Sequence, residues 1–139
     1  MKVLVTGASG FLGSAVIKAI RATEGMTALA AGRQKTGPDS VVFDILSPPA
    51  TLATALAGVD AVVHCAAGSV HATVAGTRNT LEACRMAGVR QVVHISSLAA
   101  YGKAQGTMLE NIPQVKTTGR YSSSLKSIAG GRCASFCTP

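Results

Sequence analysis

The sequence predicts an α/β fold with a doubly wound parallel sheet of about five strands in the order 3-2-1-4-5. Short apolar segments rich in Val, Ile and Ala alternate along the chain with segments of helical periodicity. Strands that alternate with helices form parallel sheets through right-handed crossovers. The first apolar segment is followed at once by three glycines in the spacing G-x-x-G-x-x-G, which is typical of the first turn of such a sheet.

The positions of the elements follow from apolar runs and from helix start and stop signals. Strands are expected at residues 3–5, 26–31, 40–45, 60–66 and 89–96, and helices at about 11–20, 49–57 and 70–87. Ser47 and Ser69 are placed to cap the second and third helices, and Gly58 and Gly88 to end them. The fourth strand is apolar almost throughout, as expected when helices cover both faces of a sheet.

Length and composition predict one domain over residues 1–139. Hydrophobic residues make up 47% of the 139-residue chain and charged residues only 14%, which suits a buried core. We expect an irregular tail over residues 103–139: residues 102–119 show no clear period, and a helix that could start over 121–129 is broken by Gly130 and Gly131. No apolar run approaches the roughly 18–20 residues that cross a membrane, and the N-terminus lacks the pattern of a signal peptide. We therefore expect a cytoplasmic protein with no membrane partner.

Charge and cysteine content argue against two other kinds of site. The net charge is +7, but the thirteen Lys and Arg residues are scattered singly, and three Phe and two Tyr offer few surfaces for base stacking. No nucleic-acid partner is therefore expected. The four cysteines fit neither a zinc nor a redox spacing, so no metal site is expected. Cys65 and Cys84 fall in a predicted strand and helix, where a cysteine acts as a small buried hydrophobe.

The glycine turn, Gly7 to Gly13, predicts a binding site for the phosphates of a dinucleotide. A helix start offers unpaired N–H groups and a partial positive charge, and glycines let the backbone approach a pyrophosphate without Cβ clashes. Arg33 lies twenty residues beyond Gly13, at the position where such folds bind the adenosine ribose. An arginine there favours the 2′-phosphate of NADP, with Lys35 as a second cation. NADP is therefore the expected cofactor, and NAD is the alternative.

Five segments together give the chain a resemblance to the extended short-chain dehydrogenase/reductase family, which includes NAD(P)-dependent epimerases, dehydratases and dihydroflavonol-type reductases. They are Thr6-Gly7-Ala8-Ser9-Gly10-Phe11-Leu12-Gly13, Asp44, His64-Cys65-Ala66-Ala67, Gly76-Thr77-Arg78-Asn79 and Ser96-Ser97-Leu98-Ala99-Ala100-Tyr101-Gly102. The resemblance extends over about residues 1–125 and implies a Rossmann-type sheet that binds NAD(P) at its glycine turn.

The resemblance also implies which residues contact the cofactor. Those expected to bind it in the glycine turn are Gly7, Ser9, Gly10, Phe11, Leu12 and Gly13, which lie along the pyrophosphate. Arg33 would meet the adenosine ribose phosphate, and Asp44 with Ile45 would border the adenine. Ala66 and Ala67 would border the adenine side or the nicotinamide ribose. Two roles are open for His64: a catalytic residue, or a core histidine whose ring nitrogens are hydrogen-bonded. The core role is favoured.

The chemistry of this family uses a serine, a tyrosine and a lysine four residues after the tyrosine. By the resemblance, Ser97 would polarise the substrate oxygen and Tyr121 would transfer a proton. The lysine lowers the pKa of the tyrosine, and Lys126 is its nearest match, because residue 125 is a leucine. On a helix, position i+5 lies about 140° from residue i, whereas i+4 lies about 40° away. Lys126 would therefore point to a different face from Tyr121.

Two functions remain open on the sequence. The first is an oxidoreductase or nucleotide-sugar epimerase/dehydratase that transfers hydride between a nicotinamide and a small molecule, either a nucleotide sugar or a ketone or alcohol. The second, which Leu125 favours, is a catalytically inactive dinucleotide-binding module. Family members continue into a C-terminal substrate lobe, so a truncated or frame-shifted chain is expected here. The apolar surface left exposed without that lobe favours a homo-oligomer.

Overall fold

The computed structural model describes residues 1–96 and 133–136, which form a parallel sheet with helices on both faces. The strands are β1 (Lys2–Thr6), β2 (Thr27–Gly32), β3 (Ser40–Val42), β4 (Ala61–His64), β5 (Gln91–Ile95) and β6 (Cys133–Phe136). The helices are α1 (Phe11–Arg21), α2 (Pro49–Ala55) and α3 (Val70–Ala87). The strand order is β3-β2-β1-β4-β5-β6, and all neighbours are parallel. The predicted Rossmann-type fold and its order 3-2-1-4-5 are confirmed.

The sheet has one strand more than expected, and that strand lies in the segment for which the sequence predicts an irregular tail. β6 pairs with β5, with Cys133 opposite Val92 and Phe136 opposite Ile95. Four residues are too few to carry a recognisable strand period. The open edge of β5 supplies the hydrogen-bonding partners that select this segment.

The core consists of two apolar clusters, one on each face of the sheet. Leu52 of α2, Leu56 just after that helix, and Ala83 and Cys84 of α3 pack against one face. The strand residues of this cluster are Leu4, Ala31 and Val62, with Phe43 just after β3. On the opposite face, Ile17 and Ile20 of α1 pack against Val3, Val5, Ala28 and Ala61. β1 contributes to both clusters because alternate side chains of a strand point to opposite faces.

One predicted helix cap is confirmed, whereas another cap and the end of β3 differ from the prediction. Ser69 caps α3 as predicted, since its hydroxyl accepts a hydrogen bond from the N–H of Ala72 at 3.2 Å. The prediction that Ser47 caps α2 is wrong, because Pro48 occupies the cap position and offers no side-chain hydrogen bond. β3 ends at Val42, three residues early, since the Asp44 carboxylate accepts a hydrogen bond from the Leu46 N–H and turns the chain.

The position of β1 sets the place of the functional site. The chain winds outward from β1 in one direction through β2 and β3, and in the other through β4 and β5. In such sheets ligands bind outside the carboxyl ends of the strands, at the point where the strand order reverses. Here that point is the crevice between the ends of β1 and β4. Within the described residues, no helix is long and apolar enough to cross a membrane.

Leu4→Ala is expected to lower the free energy of unfolding by about 2–5 kcal/mol, because this fully buried side chain of the central strand would leave a cavity. Leu46→Ala is the matched control: Leu46 is 48% exposed, and its substitution should change stability by no more than about 0.5 kcal/mol. Denaturant unfolding measures both values. Equal losses in the two variants would contradict the central position of β1.

Candidate cofactor site

The turn after β1 presents the start of α1 at the crevice. Gly7 has a φ of 66°, a left-handed conformation that suits glycine. Its carbonyl accepts a hydrogen bond from the N–H of Gly10 at 2.9 Å, which closes the turn. α1 begins at the next residue, Phe11, and no side chain caps this end of the helix. The first N–H groups of an α-helix have no partner within the helix, so this end attracts an anion.

A side chain at each of the three glycines of the turn would meet different surroundings. A Cβ on Gly7 would lie 2.9 Å from the backbone N and Cα of Ala66, so this glycine lets two turns meet. A Cβ on Gly13 would lie 2.8 Å from the carbonyl carbon of Gly7, so that glycine lets α1 pack on its own turn. Gly10 is exposed, and a Cβ there would meet only the Gly7 oxygen, at 3.2 Å. The Gly7 oxygen would have to shift by a few tenths of an ångström, so the fold constrains Gly10 less than it constrains Gly7 or Gly13. A group bound at the helix start would add a second reason for a glycine there.

The turn after β4 forms the other wall of the crevice. The N–H of Cys65 donates to the carbonyl of Thr6 at 3.3 Å, and the N–H of Ala66 donates to the Thr6 hydroxyl at 3.2 Å. The sequence predicts that β4 continues to Ala66, but the strand ends at His64. It ends there because the N–H of Ala66 bonds to the side chain of Thr6 instead of to a backbone carbonyl of β1. Ala66 and the exposed Ala67 are thereby placed beside the glycine turn.

His64 is a core residue whose two ring nitrogens are both hydrogen-bonded. Its Nδ1 lies 2.8 Å from the Thr6 hydroxyl, and its Nε2 lies 3.2 Å from the hydroxyl of Thr77 on α3. The ring is 1% exposed and stacks on the ring of His94, with centroids 5.5 Å apart. Burial, together with the neighbouring His94, lowers the pKa of His64 from 6.5 to about 4. The ring is therefore neutral at physiological pH and holds β1, β4 and α3 together.

The opposite wall, where the resemblance places the adenine, is built by Asp44 and Ile45. The carbonyl of Asp44 accepts a hydrogen bond from the N–H of Ser47 at 2.8 Å, which completes the turn begun by its carboxylate. The amide of Asn79 donates to the carbonyl of Ile45 at 3.1 Å. The Ile45 side chain lies against Gly76, where a Cβ would be only 2.7 Å from Ile45 Cγ1. α3 thus holds this turn in place through the hydrogen bond from Asn79 and through the close packing of Ile45 that Gly76 allows.

Arg33 follows the last residue of β2 and is exposed at the same end of the sheet. None of the ion pairs within residues 1–96 involves it. The connection from residue 33 to residue 39 contains no helix, and a groove of about 570 Å³ lies between it and α1. Ala8, Ser14 and Lys18 line this groove from the side of the glycine turn and α1. Ala8 thus joins this groove to the glycine turn, and Arg33 lies outside its lining.

The structure brings all of the predicted cofactor residues to one edge of the sheet. They are Gly7, Ser9, Gly10, Phe11, Leu12 and Gly13 after β1, Arg33 after β2, Asp44 and Ile45 after β3, and Ala66 and Ala67 after β4. Phe11 is 96% exposed at the start of α1. The predicted catalytic residues Ser97, Tyr121 and Lys126 lie outside the described residues.

Sequence reasoning did not anticipate how polar residues support this edge. Thr6, Thr77 and Asn79 belong to the quoted motifs, but their partners were not apparent from spacing. The available signal was a histidine inside an apolar strand, since such a group needs buried hydrogen-bond partners. In the part of the chain that the structure describes, no three His, Cys, Asp or Glu side chains are grouped to hold a metal ion.

Acid is expected to destabilise the protein through His64. Because the pKa of His64 is lower in the folded state than its ordinary value of 6.5, protons bind the unfolded chain preferentially as pH falls. The free energy of unfolding should fall by about 2 kcal/mol between pH 7 and pH 5 from this group alone. Burial also lowers the pKa of His94, which adds to the loss. His64→Asn should reduce this pH dependence, measured by denaturant unfolding at each pH.

The exposed His71 of α3 provides the control for this experiment, because His71→Gln removes an imidazole from outside the core. The slope of stability against pH should survive in His71→Gln. The same slope in His64→Asn as in the unmodified protein would contradict the assignment. Both proteins are measured only between pH 7 and pH 5, so that carboxylates do not contribute to the slope. Among these is Asp60, whose pKa is held below its usual value by hydrogen bonds from the Lys2 backbone and Arg90.

Comparison with known proteins identifies the family. The sequence matches the NAD dependent epimerase/dehydratase family over residues 3–125. A curated relative, the 2-alkyl-3-oxoalkanoate reductase of Stenotrophomonas maltophilia (strain K279a), is 38% identical over 112 residues, which cover 70% of this chain and 33% of that protein.

Solved structures agree with this match. A short-chain dehydrogenase/reductase superfamily protein from Agrobacterium tumefaciens, solved with bound NAD, is 34% identical with a TM-score of 0.68; the match covers 83% of this chain and 39% of that one. A double mutant of DesIV, a dTDP-glucose 4,6-dehydratase from Streptomyces venezuelae with NAD bound, is 28% identical with a TM-score of 0.70, covering 83% and 45%. This chain thus spans less than half the length of these three relatives. It belongs to the NAD dependent epimerase/dehydratase family, as the sequence resemblance implied.

Proposed function

We propose that this chain is the cofactor-binding part of an NAD(P)-dependent oxidoreductase or nucleotide-sugar epimerase/dehydratase, and that it prefers NADP. The observation that carries the proposal is the uncapped start of α1 beside the exposed Gly10, at the crevice between β1 and β4. The residues present fit a dinucleotide, because the helix start has no side-chain cap and the backbone at Gly10 is exposed, so phosphate oxygens can approach its N–H groups.

Each wall of the crevice has a separate task in binding. The N–H groups at the start of α1 would donate to the pyrophosphate, and Phe11 would cover part of it. Asp44 and Ile45, held by Asn79, would border the adenine. The exposed guanidinium of Arg33 would pair with a ribose 2′-phosphate, which is why we propose NADP over NAD. The NAD in the Agrobacterium tumefaciens protein belongs to that protein and leaves this preference open.

The proposed chemistry combines a bound cofactor with three side chains. The nicotinamide, when bound, supplies or accepts hydride at a substrate carbon. Ser97 would donate a hydrogen bond to the substrate oxygen, and Tyr121 would give or take the proton at that oxygen. A phenol titrates at about 10, so Tyr121 needs a nearby cation. Lys126 is the proposed one, which requires an irregular helix start, because on a regular helix it would lie on a different face from Tyr121. The proposed substrate is a small molecule, either a nucleotide sugar or a ketone or alcohol.

A catalytically inactive dinucleotide-binding module is the second candidate. It is favoured by Leu125, which stands where the family's lysine belongs. Cofactor binding without turnover of any nucleotide sugar, ketone or alcohol would select this module over the enzyme. The cytoplasmic location and the homo-oligomer expected from the sequence remain predictions.

Gly10→Ala is expected to weaken binding of NADPH at least about tenfold while leaving the fold intact, because its methyl group enters the space proposed for the pyrophosphate. Fluorescence titration of NADPH and thermal unfolding measure the two effects. Gly13→Ala should instead unfold the turn, since its Cβ meets the backbone of Gly7. Gly37→Ala is the matched control, because a Cβ there meets nothing within 4 Å. Unchanged NADPH affinity in a folded Gly10→Ala protein would refute the proposed site.

Arg33→Ala is expected to weaken NADPH binding by about tenfold and NADH binding by much less, because only NADPH carries the 2′-phosphate. The ratio of the two dissociation constants, measured by titration, reports the effect. Arg85→Ala is the control: Arg85 is also exposed but lies in the last turn of α3 and pairs with Glu82 at 2.6 Å. Equal losses for both cofactors in Arg33→Ala would show that Arg33 does not read the ribose phosphate.

A further inference from the structure

His64 connects two segments that the proposed cofactor must touch, without facing the crevice itself. Its Nδ1 lies 2.8 Å from the Thr6 hydroxyl, and that hydroxyl accepts the N–H of Ala66 at 3.2 Å. Thr6 immediately precedes Gly7, whose missing side chain lets the glycine turn approach Ala66. A change in the orientation of the Thr6 hydroxyl would therefore alter the contact between the glycine turn and the turn after β4, which form both walls of the crevice.

The hydrogen bonds indicate which ring nitrogen carries the proton. The Thr6 oxygen already accepts from Ala66, so its own proton is best used by donating to Nδ1 of His64. Nδ1 is then the unprotonated nitrogen, and Nε2–H donates to the Thr77 hydroxyl, 3.2 Å away. Among the described residues neither hydroxyl has a further acceptor for its proton, so each tautomer leaves one hydroxyl proton unused. The opposite tautomer would leave that of Thr6, which is 1% exposed, whereas this one leaves that of Thr77, which is 5% exposed and therefore costs less.

We propose that His64 is a positioning residue for the dinucleotide, acting through Thr6. Held by Thr77 as the Nε2–H tautomer, it accepts a hydrogen bond from the Thr6 hydroxyl at Nδ1 and so directs a Thr6 lone pair toward the N–H of Ala66. This fixes the distance between the glycine turn and the turn after β4. The inference rests on the proposed function, since the cofactor is what these two turns would grip.

The tautomer and the Ala66 contact can be tested in the cofactor-free full-length chain. In ¹⁵N NMR spectra, Nδ1 of His64 should give the signal of an unprotonated ring nitrogen and Nε2 that of a protonated one. The amide of Ala66 should exchange slowly with solvent, and Thr6→Val should make it exchange at least about tenfold faster by removing its acceptor. A protonated Nδ1, or an Ala66 amide whose exchange is unchanged in Thr6→Val, would overturn the inference whatever the cofactor does.

Two substitutions of His64 separate positioning from simple stabilisation. Asn carries its oxygen near the position of Nδ1 and can still accept from Thr6, whereas Gln reaches only the position of Nε2 and Thr77. Both remove the stacked ring and should lower the melting temperature to a similar degree. Affinity for NADPH should be largely kept in His64→Asn and lost at least about tenfold in His64→Gln. Equal affinities in the two folded variants would show that His64 only stabilises the core.

Thr80→Val is the matched control for Thr6→Val. Thr80 is fully buried on α3, and its hydroxyl has no partner among the described residues. Removing it should change neither the exchange of the Ala66 amide nor the affinity for NADPH, and an effect equal to that of Thr6→Val would count against the inference. If the unmodified protein binds neither NADPH nor NADH, the proposed function fails, while the NMR results on His64 and Ala66 still decide the hydrogen-bond arrangement.

Discussion

The close contact between the turns that follow β1 and β4 is the constraint on which the rest of the site depends. Gly7 has no side chain, so its backbone can approach Ala66, and the Thr6 hydroxyl accepts the Ala66 N–H at the same place. In a sheet wound outward from β1, this is where two neighbouring strands send their chains to opposite sides. The crevice between them is therefore narrow, walled by backbone, and open at the start of α1.

The residues of the family's motifs serve different structural purposes in this fold. Gly7 and Gly13 are required by close backbone contacts, whereas a Cβ on the exposed Gly10 would meet one backbone oxygen at 3.2 Å. The Gly76-Thr77-Arg78-Asn79 segment of α3 does not line the crevice but holds its walls. Gly76 and Asn79 fix the turn at Ile45, and Thr77 reaches His64. Buried hydrogen bonds thus position exposed backbone, which lets the site keep its shape while its surface stays free for a ligand.

The sequence predicted the strand order, the bounds of α3 and the clustering of cofactor residues at one edge of the sheet. These features depend on strong local signals: glycine spacing, an N-cap at Ser69, and apolar runs that parallel strands require. It failed where a distant partner decides the outcome. β4 ends early because Thr6 captures the Ala66 N–H, Pro48 displaces Ser47 from the cap, and β6 forms because β5 offers a free edge. The hydrogen bonds of His64 join residues from three elements, and no local pattern encodes them.

We propose above all that the uncapped start of α1, held against the turn after β4, binds a dinucleotide. Amide chemical shifts, followed by NMR as NADPH is added to the 139-residue chain, report where the cofactor binds. The largest shifts should occur at the amides of Gly10, Phe11 and Ala66, with further shifts at Arg33 and Ile45. Shifts absent from the glycine turn, or confined to the groove beside Lys18 and Arg21, would contradict it.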